Sequence, residues 1–149
     1  MKAKEYLKQI WWIDKEINYK REQREMIRAK AEGVSSPQIS DMPKGGQQQD
    51  PASLIVKLAD LDNYINEQTG RLISLKADVI KQIDKITDQR SRLILTCRYL
   101  QMRKWEDIEK DMHYEHTYMM VLHNRALRLF EEVNPQIRKI RQRNDKKRH

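Results

Sequence analysis

The sequence predicts an all-α protein: a long antiparallel helical hairpin, then a compact three-helix helix-turn-helix unit, then a basic tail. Three observations support this class. Apolar residues recur at spacings of three and four along most of the chain, the helical period. Only four Gly and four Pro occur in 149 residues, and three of each fall within residues 33–51. There is a single Phe and β-branched runs are scarce, which disfavours a sheet. At this length one domain, or one small domain plus an extended helical element, is expected, and a large two-layer enzyme core is not.

From Lys2 to about Glu32, apolar residues at Tyr6, Ile10, Ile13, Ile17, Ile27 and Ala31 give a heptad-like seam. Lys20 and Arg24 fill its gap, where their aliphatic stems can still cover a partner. The linker, about residues 33–51, has no pattern to bury. Helix resumes at Asp50-Pro51, an acidic cap followed by Pro in the first turn. Leu54, Leu58, Leu61, Ile65, Gln68, Leu72, Leu75, Val79, Ile83 and Ile86 then form one stripe, about 50 Å long at the standard helical rise. Such a stripe has to be covered, and the first helix is the nearest partner, so residues 1–88 read as a hairpin. Trp11 and Trp12 flank the seam and cannot both enter it. Two readings stand: a contact with protein or a second copy of the chain, or a Trp lying along its own helix.

Beyond the candidate cap Thr87-Asp88 the pattern becomes compact over residues 89–134. Leu93, Ile94, Cys97, Tyr99 and Leu100 form the apolar side of a first short helix. Trp105, Ile108 and Met112 form that of a second, at about residues 105–112. In a third, from about His116 through Phe130, Met119, Leu122, Ala126, Leu127 and Phe130 point inward. Pro135 then interrupts, and the tail at residues 135–149 can continue as helix. Two short helices joined by a few residues and sharing a core with a third follow the helix-turn-helix plan.

Charge is distributed unevenly. Residues 1–88 carry 15 basic and 14 acidic side chains and residues 89–134 carry 8 and 7, whereas the last fifteen residues carry 7 and 1. The tail therefore holds +6 of the +8 net charge. That is the footprint of a polyanion binder, or of a solubilising tail. Cys97, the only cysteine, reads as a reduced thiol in an apolar run, in keeping with a cytoplasmic protein. No stretch approaches the roughly 20 apolar residues a membrane span needs.

The stretch RYLQMRKWEDIEKDMHYEHTYMMVLHNRAL adds a resemblance. It resembles the fourth region of sigma-70-family transcription factors, which has an Arg-Tyr or similar pair, a Thr-x-Glu-Glu-Ile start and a closing Arg-Ala-Leu. Arg98-Tyr99, Trp105-Glu106-Asp107-Ile108 and Arg125-Ala126-Leu127 stand in those places. With the hairpin ahead, and Leu122-His123 before Arg125, the whole chain looks like small phage-encoded proteins of Gram-positive bacteria related to phage late-operon activators. The resemblance is sharp over about residues 89–130. The chain departs from the pattern at Met102 and Lys104, where Gly and Thr are usual, and at Glu109, where a small residue is usual. His113 and Glu115 replace the Gly and Ser of the turn. His enters left-handed backbone space more readily than most residues, so the turn remains possible.

The resemblance implies that the third helix reads double-stranded DNA. Its outward positions are His116, Thr117, Tyr118, Met120, Val121, Asn124, Arg125 and Arg128. Asn124 suits adenine, and Arg125 and Arg128 suit guanine or phosphate. His116 and Tyr118 suit phosphate. Met120 and Val121 suit thymine methyls, or form an apolar patch for protein. Arg138, Lys139, Arg141 and Arg143 supply salt-dependent phosphate contacts. Glu106 and Asp107 are either a solvated face at a helix start or, as the resemblance suggests, a contact for RNA polymerase. No catalytic motif, cofactor loop or metal site is expected: His113, His116 and His123 lack paired Cys or ligand spacing for zinc. The expected role is a phage or prophage transcriptional regulator, an activator, with a homodimer as the expected assembly and the host cytoplasm as its place of action. The competing role is a helical adaptor or inhibitor that uses the same shell to bind protein.

Overall fold

The computed structural model describes residues 2–33 and 50–140. Among them every regular element is helical, as the sequence predicts: α1 (Ala3–Ala31), α2 (Pro51–Asp84), α3 (Gln89–Leu95), α4 (Trp105–Met112) and α5 (His116–Val133). A π-helical turn, Thr96–Leu100, continues α3, and residues 136–140 are helical again. The expected linker lies almost wholly outside the described residues. Contacts divide the chain into two units, Met1–Ile13 with Leu72–His149, and Asp14–Arg71.

In the second unit α2 starts where the cap signal places it, with the Ala52 amide donating to the Asp50 carboxylate at 3.3 Å. Ile17, Leu54 and Ile65 are buried, and Leu58, Leu61 and Gln68 half-buried. The break in the α1 seam is filled as its chemistry requires. Arg24 donates to Asp62 at 3.1 Å, and the Lys20 ammonium lies 5.5 Å from the centroid of the Tyr64 ring. The Tyr64 hydroxyl donates to Glu16. Long polar side chains close a seam less completely than Leu or Ile, and a cavity of about 560 Å³ remains beside Met26, Ile27 and Leu61. Ala31, expected in the seam, is exposed at the end of α1.

In the other unit Leu72, Val79, Ile83 and Ile86 are buried, completing the α2 stripe. The start of α1 packs on the end of α5. The Tyr6 and Phe130 rings stand 6.1 Å apart, and the Ala3 amide donates to Glu131 at 2.9 Å. Asn134, fully buried, ends α5 by donating its amide to the carbonyls of Phe130 at 2.9 Å and Gln82 at 3.1 Å. Leu7, which lies off the predicted seam, is also buried.

The three short helices fall where the pattern puts them, with one correction. Ile94, Ile108, Met119 and Leu122 form their shared core. Leu93, expected inward, is 47% exposed, and Leu95 takes its place. Leu93, Ile94 and Leu95 are consecutive, so one helix side cannot bury all three; Ile94 and Leu95 go inward, and Tyr99, one turn on from Leu95, is buried as expected. Cys97 is half-buried and unpaired with another cysteine.

Candidate nucleic-acid interface

The turn between α4 and α5 takes its shape from His113. Its φ of 58° and ψ of 41° are left-handed. The Tyr114 amide donates to the Glu109 carbonyl at 3.1 Å and the His113 amide to Lys110 at 3.4 Å, the double closure that ordinarily uses Gly. Met102, before α4, also has positive φ, at 54°. Here the Arg103 amide reaches back to the Cys97 carbonyl at 3.0 Å, one residue farther than in an α-helix ending because the π turn adds one.

Glu109, too large for a tight helix crossing, lies at its edge with its side chain 15% exposed, and pairs with His116 Nδ1 at 2.6 Å. The pair ties α4 to the first residue of α5. His116 is therefore already engaged within the protein rather than free for phosphate. Neither Lys104 nor Glu115 caps its helix with a side chain.

On α5 the expected outward residues separate into two groups. Thr117, Tyr118, Val121, Asn124, Arg125 and Arg128 are exposed. Met120 is half-buried against the Ile108–Met119 core, so of the two apolar candidates only Val121, 58% exposed, lies fully on the surface. Among the described residues the side chains of Asn124 and Arg128 make no hydrogen bond or ion pair, and the Arg125 charge acts on the Asp88 carboxyl. Ser91 donates to Asp88 at 2.7 Å; this bond, aided by Arg125 and Arg90, holds the carboxyl below its ordinary range.

Arg90 is a contributor that helical spacing did not reveal. Its guanidinium donates to the hydroxyls of Tyr118 at 3.3 Å and Tyr114 at 3.5 Å, whose rings meet edge to face at 5.0 Å. A lone Arg at a helix start carries no spacing signal. The charge around α5 is not uniformly favourable to DNA. Residues 104–133 hold four basic and seven acidic side chains, and Glu106 and Asp107 are exposed at the start of α4. Arg138 pairs with Glu131 at 3.3 Å, and Lys139 is exposed. Arg141 and Arg143 lie outside the described residues.

Behind this face sits a buried polar pair. The Tyr99 hydroxyl and His123 Nε2 are 2.8 Å apart, and the Trp105 ring stands edge-on to the imidazole with centroids 4.6 Å apart. Burial pushes the His123 pKa down to about 4, with Lys4 and Arg98 adding to the effect. Burial pushes the Tyr99 phenol up to about 12. The imidazole is thus neutral, and the phenol and Nε2 share a single hydrogen bond. His123 is a core residue; the only hint in the sequence is its place between Leu122 and Ala126. Among the described residues no group of three or more His, Cys, Asp or Glu could hold a metal ion. No helix there is long and apolar enough to cross a membrane.

Residues 33–131 match the model of a family described as protein of unknown function DUF1492. The match takes in α2 through α4 and most of α5 and leaves α1 outside. No curated protein and no solved structure matches the chain.

Proposed function

The chain belongs to the DUF1492 family, and we propose that it is a phage or prophage transcriptional regulator, an activator, that binds promoter DNA through α4 and α5. On this reading the two helices are a sigma-70 region-4-like helix-turn-helix and α5 enters the major groove. The observation that carries it is the free face of α5. Thr117, Asn124, Arg125 and Arg128 stand exposed on one helix after a three-residue turn, and Asn and Arg are the side chains best suited to purine edges.

Because residues 104–133 are net acidic, affinity has to come from outside them, from Arg90, Lys139 and the basic tail. Each phosphate contact adds about 0.9 to the slope of log affinity against log salt. Glu106 and Asp107 are the surface offered to RNA polymerase. Self-association uses the aliphatic side chains that α2 leaves exposed, Ile55, Ile73 and Ile80.

A titration of phage promoter fragments against scrambled DNA at two salt concentrations tests the proposal. Sequence-specific binding lost in Asn124→Ala or Arg125→Ala is the expected result. Equal affinity for all sequences, abolished by removing residues 136–149, refutes groove reading. The acidic α4 face together with exposed Tyr118 and Val121 favours a second reading, an adaptor that binds protein. A stable complex with polymerase or another host protein, without DNA binding, is its signature.

A further inference from the structure

Lys8, Trp11 and Trp12 of α1 and Arg98, Tyr99 and Met102 at the end of α3 line a cavity of about 220 Å³. Its rim is unusually aromatic for a surface: Trp12 is 63% exposed and Trp11 41%, with their rings edge to face at 4.7 Å. Tyr99 offers only its ring, because its hydroxyl is committed to His123. Arg98 is held in place from two sides. Its guanidinium lies 4.8 Å from the centroid of the Trp105 ring, and one Nη donates to the Arg103 carbonyl at 2.9 Å. The other N–H groups of its fork remain available to a carboxylate. Both charged lining residues are cations; no carboxylate lines the cavity.

Met102 contributes a third clue. It holds a left-handed backbone, which a residue with a Cβ occupies only at a cost, and its side chain lines this cavity. Strain retained at a position whose side chain forms a pocket wall points to use of that wall.

We infer that this cavity is a docking site for an acidic segment of a protein partner, which buries one apolar side chain between Trp12 and Met102 and sets a carboxylate against Arg98 and Lys8. Size favours an anchor side chain over a free small molecule, since small-molecule pockets run to roughly 300–1,000 Å³. Trp, Tyr and Arg are the residues that dominate binding hot spots, and the two cations select an acidic neighbour. The site is separate from the α5 face, so it stands whether or not α5 reads DNA.

The test uses the full chain and two blocked hexapeptides, Glu-Asp-Phe-Leu-Glu-Asp and Lys-Lys-Phe-Leu-Lys-Lys, followed by tryptophan fluorescence and by NMR of the indole N–H groups. The acidic peptide should bind saturably and shift the Trp12 indole signal, with the basic peptide weaker by about tenfold or more. Trp12→Ala and Met102→Gly should each weaken the acidic peptide by about tenfold, the scale of a hot-spot truncation. Trp12 is exposed and Gly suits the backbone at 102, so both variants should keep the helical circular dichroism of the parent. Lys8→Glu should shift preference toward the basic peptide. Equal binding of both peptides, no binding at millimolar concentration, or unchanged affinity in Trp12→Ala and Met102→Gly overturns the inference. So does an oligothymidylate that displaces the acidic peptide at lower concentration, because the cavity would then be a base-stacking site.

Discussion

His113 closes the turn between α4 and α5 with a Cβ in left-handed space, and His113→Gly isolates what that costs. For a residue with a side chain the region is unfavourable by roughly 1–2 kcal/mol, and His lies toward the tolerant end of the range. Glycine removes the clash but adds about 0.5–1 kcal/mol of backbone entropy lost on folding. The imidazole is exposed, and no hydrogen bond of its side chain is lost on substitution among the described residues. The expected net gain is therefore up to about 0.5 kcal/mol, or a rise of roughly 1–2 °C in melting temperature for a chain of this size. His113→Ala is the control, since it removes the same imidazole and keeps the strained φ. Thermal unfolding followed by far-UV circular dichroism should rank Gly above His, with Ala at or below His. Glycine no more stable than alanine refutes the reasoning, because strain at φ 58° would then contribute nothing measurable.

Burial of His123 makes stability depend on acid. Its folded pKa of about 4 lies below the ordinary 6.5, so the unfolded chain takes up the proton first. Stability is then full above about pH 6.5 and falls toward pH 4, by on the order of 3 kcal/mol; urea titrations across that window should show the loss, and His123→Gln should flatten it. Asn134→Ala strips the buried amide from the Phe130 and Gln82 carbonyls and should cost about 1–3 kcal/mol. Asn134→Asp should cost more, since it turns a carboxylate toward those carbonyls. Arg24→Leu completes the α1 seam and removes a buried Nε that, among the described residues, makes no hydrogen bond and only a 3.6 Å ion pair with Glu25. It should stabilise the fold by roughly 1 kcal/mol, read as a higher urea midpoint, and a lower midpoint means the Asp62 bridge stabilises more than an apolar seam.

The parts of the fold that could be read in the sequence are those where one period governs burial. On α2 every stripe position from Leu54 to Ile83 is buried or half-buried, because a long regular helix leaves the count of three and four no way to drift. The bounds of α4 were legible for a similar reason, with Trp105, Ile108 and Met112 marking one face of eight residues. Reading failed where a short apolar run left the phase open or a second contact intervened. Leu93 was misplaced because Leu93, Ile94 and Leu95 are consecutive and only two of them can face inward, and Leu7 was missed because residues beside a two-helix seam are buried only when something else covers them. The candidate interface was legible as a face and less so as chemistry. Periodicity puts Thr117, Asn124 and Arg128 outside, but it cannot foresee that Glu109 engages His116, that Met120 folds back on the core, or that Arg90 reaches Tyr118.

Among the described residues, two that carry a Cβ hold left-handed backbone, one on each side of α4. Both Met102 and His113 hold a left-handed backbone that glycine would adopt more easily. The two differ in what the side chain does. His113 is exposed at its turn, and nothing is lost when Gly restores ease there. Met102 is half-buried and forms a wall of the tryptophan cavity, so Gly should relieve the backbone while removing a surface. Stability and binding should therefore move together at neither site. His113→Gly should stabilise the chain and leave peptide affinity unchanged, whereas Met102→Gly should keep the fold and weaken the peptide. A loss of peptide affinity in His113→Gly would mean that the strained turns act on the cavity through the backbone rather than through the Met102 side chain.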